Sequence, residues 1–114
     1  MIEQLRKLYP NGHPDFIPMC LAEMELYSKK NADYAQGGNP LGNFNRVSKM
    51  LKRWGIDCPP YQVALIYMMK QVDSVVRMIG KGYEGEGEGL EDKLEDISVY
   101  SKLIRILYDN RLRP

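Results

Sequence analysis

Apolar residues recur at three- and four-residue intervals along five stretches of this chain, and the gaps between them hold the residues that end helices. The first stretch, 2–9, predicts a short helix before the breakers Pro10, Asn11, Gly12 and Pro14. In 16–34, Ile17, Leu21, Met24 and Ser28 form one line and Cys20, Glu23, Tyr27, Lys30 and Tyr34 another. Asp15 is an expected N-cap there, and Pro18 lies in the first turn, where a missing N–H costs little. Gln36 to Pro40, rich in glycine, ends that element. A third helix is expected over 44–54, capped by Asn43 and stopped by Gly55. After the rigid connector Asp57-Cys58-Pro59-Pro60 comes the most hydrophobic helix, 61–79, apolar nearly all round except for Lys70, Asp73, Ser74 and Arg77. Alternating Gly and Glu over 80–89 predict a solvated, flexible loop. A last helix is expected over 90–108, with Leu94, Ile97, Ser101, Ile104 and Tyr108 at helical spacing and a fraying tail beyond.

No stretch alternates with period two. The expected fold class is therefore all-α: one domain over 1–114, resembling a four-helix bundle, with short connections. A helix apolar on most faces needs more cover than three partners supply in 114 residues, so self-association into a dimer or tetramer is expected.

Composition narrows the function classes. Sixteen Lys and Arg nearly balance fifteen Asp and Glu, which is not the basic footprint of a dedicated nucleic-acid binder. Two cysteines, Cys20 and Cys58, and one histidine, His13, argue against a Cys/His zinc site and against a disulfide scaffold. No apolar run reaches membrane-span length and the N-terminus does not read as a signal peptide, so a cytoplasmic location is expected.

The candidate chemistry lies in three places. Asp92 and Asp96 are one helical turn apart and project from one face. Carboxylates that close repel unless a cation, a proton or water relieves them, and magnesium bound for phosphate chemistry is one such cation. With Glu91 and Glu95 they put four acids in six residues. The plain alternative is a solvated face, with the first acids favoured by the helix dipole and Leu90, Leu94 and Ile97 fixing the buried line. The second place is the stripe Lys70, Asp73, Ser74 and Arg77, either a solvent strip or one wall of a cleft where Asp73 holds a metal and the cations meet an anion. The third is Lys30, Asp33 and Tyr34, followed by the Gly-rich turn with Asn39, Asn43 and Phe44. These suit a polar ligand with a flat ring, or simply stop one helix and start another. There is no phosphate-cradling P-loop, no Ser nucleophile elbow and no HExxH.

Taken in order, these pieces resemble a known family. A helix ending KxxDY (Lys30, Asp33, Tyr34), a turn NxxGNF (Asn39 to Phe44), a hydrophobic helix with KxxD (Lys70, Asp73) and a last helix LEDKLEDISVY look like small phage and bacterial members of the all-α nucleoside triphosphate pyrophosphohydrolase superfamily, the MazG-like and dimeric dUTPase-like group. The likeness spans roughly 21–107. It implies a magnesium- or manganese-dependent hydrolase in which water attacks the α-phosphate of a (deoxy)nucleoside triphosphate and pyrophosphate leaves. By that match Asp73, Asp92 and Asp96 hold metal. Lys30, Lys70 and Arg77 meet phosphate, and Asp33, Tyr34, Asn39, Asn43 and Phe44 meet the nucleoside. Glu91 or Glu95 serves as base. One departure stands out: Lys70 occupies a position where the family usually has an acid. It leaves the four-acid site incomplete and keeps open a non-catalytic reading, a nucleotide-binding or partner-binding module on the same scaffold.

Overall fold

The computed structural model describes residues 1–35, 38–82 and 89–110, without the side chains of Tyr34 and Ala35. Among them are five helices and no strand: α1 (Ile2–Leu8), α2 (Phe16–Ala35), α3 (Gly42–Arg53), α4 (Pro60–Lys81) and α5 (Leu90–Asn110). The chain is all-α, and none of these helices is long and apolar enough to cross a membrane. Contacts divide it into two compact units, Met1–Gly38 and Asn39–Pro114.

In the first unit α1 packs on α2. The turn between them is drawn together locally: the Arg6 guanidinium donates to the Pro14 carbonyl (3.1 Å) and the Asp15 N–H to His13 Nδ1 (3.1 Å). An open groove of about 690 Å³ runs along this hairpin, lined mainly by apolar side chains including Leu5, Ile17 and Leu21.

In the second unit α4 packs along α5, and α3 packs on α4. Asn39, not Asn43, organises the start of α3. Its Oδ1 accepts the Leu41 N–H (2.9 Å), an Asx turn, and its carbonyl accepts the Gly42 N–H (3.0 Å), while the helix itself has no side-chain cap. The expected stop at Gly55 is present. Gly55 lies at φ +80° and its N–H bonds to the Lys52 carbonyl, while the Ile56 N–H reaches the Leu51 carbonyl. That pair of bonds is a Schellman motif, and the positive φ is why glycine stands there. The Ser48 hydroxyl then ties α3 to the connector by donating to the Cys58 carbonyl (2.7 Å). Pro60 opens α4 at a position where proline's missing N–H had no helical partner to lose. The helix continues through the first residues of the expected loop and ends at Gly82 in the left-handed conformation. Residues 83–88, the body of the Gly/Glu segment, and 111–114 lie outside the described residues.

The core of this unit is small and specific. Phe44, Val63, Ala64, Val75, Met78, Leu103 and Leu107 are its buried hydrophobics. Phe44 meets Tyr67 (ring centroids 5.5 Å) and Tyr100 (6.4 Å), so three helices share one aromatic cluster. A second pair, Tyr61 and Tyr108, closes edge to face at 5.3 Å where the start of α4 meets the end of α5. Trp54, the residue that follows α3, is 84 % exposed.

Candidate functional site

The site begins with how α5 is rolled. The sequence suggests a buried line through Leu90, Leu94 and Ile97, yet Leu94 is 50 % exposed and the most deeply buried α5 residues are Leu103 and Leu107. Stepping back along the helix by three and four residues, the same line runs through Tyr100, Asp96 and Asp92. The inward line is thus leucine and tyrosine at one end and aspartate at the other. Packing of Leu103 and Leu107 on α4, together with the Tyr67–Tyr100 contact, sets the roll, and Asp96 becomes half-buried with it while Asp92, at the helix start, stays exposed.

Asp96 is half-buried, and its Oδ2 faces α4, where it accepts a hydrogen bond from Gln71 Nε2 (3.4 Å). Asp92, one turn closer to the helix start, is exposed. Its Oδ2 accepts the Gly89 N–H (3.0 Å), the return half of a capping box, with the Lys93 N–H bonded to the Gly89 carbonyl behind it. Asp92 therefore serves the start of α5, whereas Asp96 is engaged between α5 and α4, with Gln71 among its partners. Of the remaining acids, Glu95 is half-buried beside Asp96 and Glu91 is exposed.

The α4 stripe does not face this pair. Gln71 is the residue opposite Asp96, and at about 100° per residue Lys70 lies about 100° around the helix from it, Arg77 about 120° and Asp73 about 160°. Lys70, Asp73 and Arg77 are all exposed, and the Ser74 hydroxyl bonds back to the Lys70 carbonyl (3.2 Å). Asp73 accordingly drops out of the metal set within one chain: it sits on the far side of α4 from Asp96. Among the described residues no three His, Cys, Asp or Glu side chains gather where they could hold a metal ion.

The proposed nucleoside contacts fall in both units of the chain, and each is described in its own. Phe44 is 3 % exposed and its ring is used up by Tyr67 and Tyr100, so it is a core residue and not a stacking platform. Asn39 has its side-chain oxygen engaged in the turn before α3, and Asn43 is exposed. Lys30 (half-buried) and Asp33 (exposed) belong to α2 in the other unit, and the Tyr34 side chain lies outside the described residues.

Two residues near Asp96 went unnoticed in the sequence, Gln71 and the half-buried Lys93. The signal for Gln71 was present in the register: Ala64, Tyr67, Gln71, Val75 and Met78 follow each other at three and four residues and include three members of the core. An amide among charged neighbours drew no attention. Comparison with protein-family models, curated proteins and solved structures finds no match to this chain.

Proposed function

We propose that the chain is a nucleoside triphosphate pyrophosphohydrolase whose chemistry centres on the inward acids of α5. The observation that carries this reading is Asp96, a carboxylate on the line that elsewhere in the same helix forms the core, directed at the facing helix and held by Gln71. Solubility does not call for an acid there, and inward, polar-lined carboxylates are where function is most often found. The family resemblance puts a metal ligand at this same residue.

The donor set is compatible with magnesium, which is commonly held by one or two carboxylates together with substrate phosphates and water. Asp96 and Asp92 would hold it; Asp73 is not needed. Bound magnesium neutralises phosphate oxygens and makes a water molecule easier to deprotonate. The chain's own part is then positional. Gln71 fixes the rotamer of Asp96. Half-buried Glu95, adjacent to it, takes the proton of the water whose oxygen bonds to the α-phosphorus. The bond from that phosphorus to the bridging oxygen breaks, and the pair of electrons leaves with pyrophosphate. Lys93, half-buried on α5 one turn from Asp96, offers positive charge to the departing group.

A second reading is favoured by one feature: the residue opposite Asp96 is an amide, and Asp92 already serves the helix end. On this reading the chain binds a nucleotide or a partner without turning anything over. The two readings separate in one experiment. Pyrophosphate release is measured with magnesium and a panel of (d)NTPs, for the wild type and for Asp96→Asn. The hydrolase reading expects release that falls at least about 100-fold in the variant. Nucleotide-dependent thermal stabilisation with no release selects the binding reading. Release that survives Asp96→Asn moves the metal site elsewhere.

A further inference from the structure

The two faces of α3 differ sharply. Phe44, Val47, Ser48 and Leu51, buried or half-buried, lie within about 100° of one another on the side packed on α4. Arg46, Lys49, Met50 and Arg53 fill a sector of about the same width opposite, and all four are exposed. Lys52 flanks that sector, Trp54 follows it at 84 % exposure, and Ile56 stands two residues on at 50 %. A charged outer face is ordinary for a surface helix; two features here are not. The cations are unopposed: no acid occurs between Asp33 and Asp57, and among the described residues none of the four has a carboxylate within ion-pair distance. The exposed face is also partly apolar. Met50, Trp54 and Ile56 put on the order of 400 Å² of largely apolar surface into water at the end of the helix, the size of patch that marks an interaction site.

We propose that this face docks on an anionic lipid bilayer, with Met50, Trp54 and Ile56 entering the headgroup boundary and Arg46, Lys49, Lys52 and Arg53 meeting lipid phosphates and carboxylates. Charge complementarity selects an anionic partner, since each base of a cluster adds to the attraction of a negatively charged leaflet. The apolar trio selects a bilayer among anionic partners. A nucleic-acid strand would use the indole ring and the cations and leave Met50 and Ile56 in water, whereas a bilayer interface takes up all three. Tryptophan suits that boundary because its ring is amphipathic, and the long Lys and Arg stems lie along apolar surface with their heads among phosphates. Four cations and one small apolar patch give an association that is reversible and sensitive to salt, unlike an inserted helix. None of these residues belongs to the α5 site, so the docking is independent of whether the chain hydrolyses nucleotides.

Cosedimentation of the full chain with phosphatidylcholine vesicles, with and without about 30 % phosphatidylserine, tests this. The wild type should partition onto the anionic vesicles at least about tenfold more strongly than onto the neutral ones, and lose most of that preference at about 0.5 M salt. Lys49→Gln combined with Arg53→Gln should weaken partitioning about tenfold or more, and Trp54→Ala by a similar factor of about ten. These positions are exposed, so both variants should keep their helicity in circular dichroism. Lys49→Arg should bind like the wild type. Lys7→Gln combined with Lys81→Gln removes the same charge from exposed positions on other helices and should change binding by less than about threefold. Failure to sediment with anionic vesicles at low salt overturns the proposal, including the case where the Met1–Gly38 unit or a second copy covers this face. So does binding indifferent to both α3 variants, or lowered as much by the Lys7 and Lys81 pair. Retention of an oligothymidylate in place of vesicles, lost in Trp54→Ala, assigns the face to single-stranded nucleic acid and overturns it too.

Discussion

The two halves of α5 share one inward line and use it differently. Toward the C-terminus it is Leu103 and Leu107, buried against α4; toward the N-terminus it is Asp92 and Asp96, one capping the helix and the other bonded across to Gln71. The leucine half gains from leaving water, while the aspartate half must replace the water it gives up with hydrogen bonds. The contrast sets apolar packing between α4 and α5 against a polar contact between the same two helices.

The largest expected effect falls on the apolar half. Leu103→Ala should cost about 2–5 kcal/mol, seen as a lower denaturant midpoint with little change in slope, since it opens a cavity at a buried site. If the cost is under about 1 kcal/mol, the line has been assigned to the wrong side of the helix. Next comes the polar half. Asp96→Leu should leave the protein as stable or raise stability by about 1 kcal/mol, because it extends the leucine line and exchanges a half-buried carboxylate for a side chain suited to the place. On the hydrolase reading it should abolish pyrophosphate release at the same time. A loss of more than about 2 kcal/mol would make Asp96 a structural residue and erase the contrast. The smallest effects compare Asp92 with Asp73. Asp92→Ala should cost about 0.5–1 kcal/mol through the lost bond to the Gly89 N–H, whereas exposed Asp73→Ala should stay within about 0.5 kcal/mol in thermal melts. Equal costs for the two would mean that the helix start does not depend on that bond.

The helix plan was legible because its punctuation is chemical and local. Pro59 and Pro60, Gly55, and the Pro10–Pro14 cluster each act on their own backbone, so every helix begins and ends within a few residues of expectation. The roll of α5 was not legible for a reason that local patterning does not resolve. Leu90, Leu94 and Ile97 form an apolar line as regular as the one through Tyr100, Leu103 and Leu107, and only the partner helix decides which turns inward. The same ambiguity drew attention to the charged stripe of α4 in place of Gln71 one residue away. Asp92 and Asp96 were found from their spacing alone, as one face of a helix. That Asp73 lies on the opposite side of α4 follows from the register of α4 on α5, which Gln71 and the Tyr67–Tyr100 contact fix. Phe44 illustrates a different confusion: an aromatic after an Asn-rich turn suits a ligand's ring or a neighbour's ring equally well until the neighbours, Tyr67 and Tyr100, are in place.

The placement of Trp54 decides how this protein will report on itself in a spectrometer. As the one tryptophan of the chain, it stands in water before unfolding as well as after, so its emission will barely register denaturation. The ring cluster of Phe44, Tyr67 and Tyr100 is asymmetric and at least half-buried, and near-ultraviolet dichroism from those tyrosines should vanish as α3, α4 and α5 separate. Indole fluorescence is thereby left clear of folding signals, free to reveal anything that settles over the end of α3.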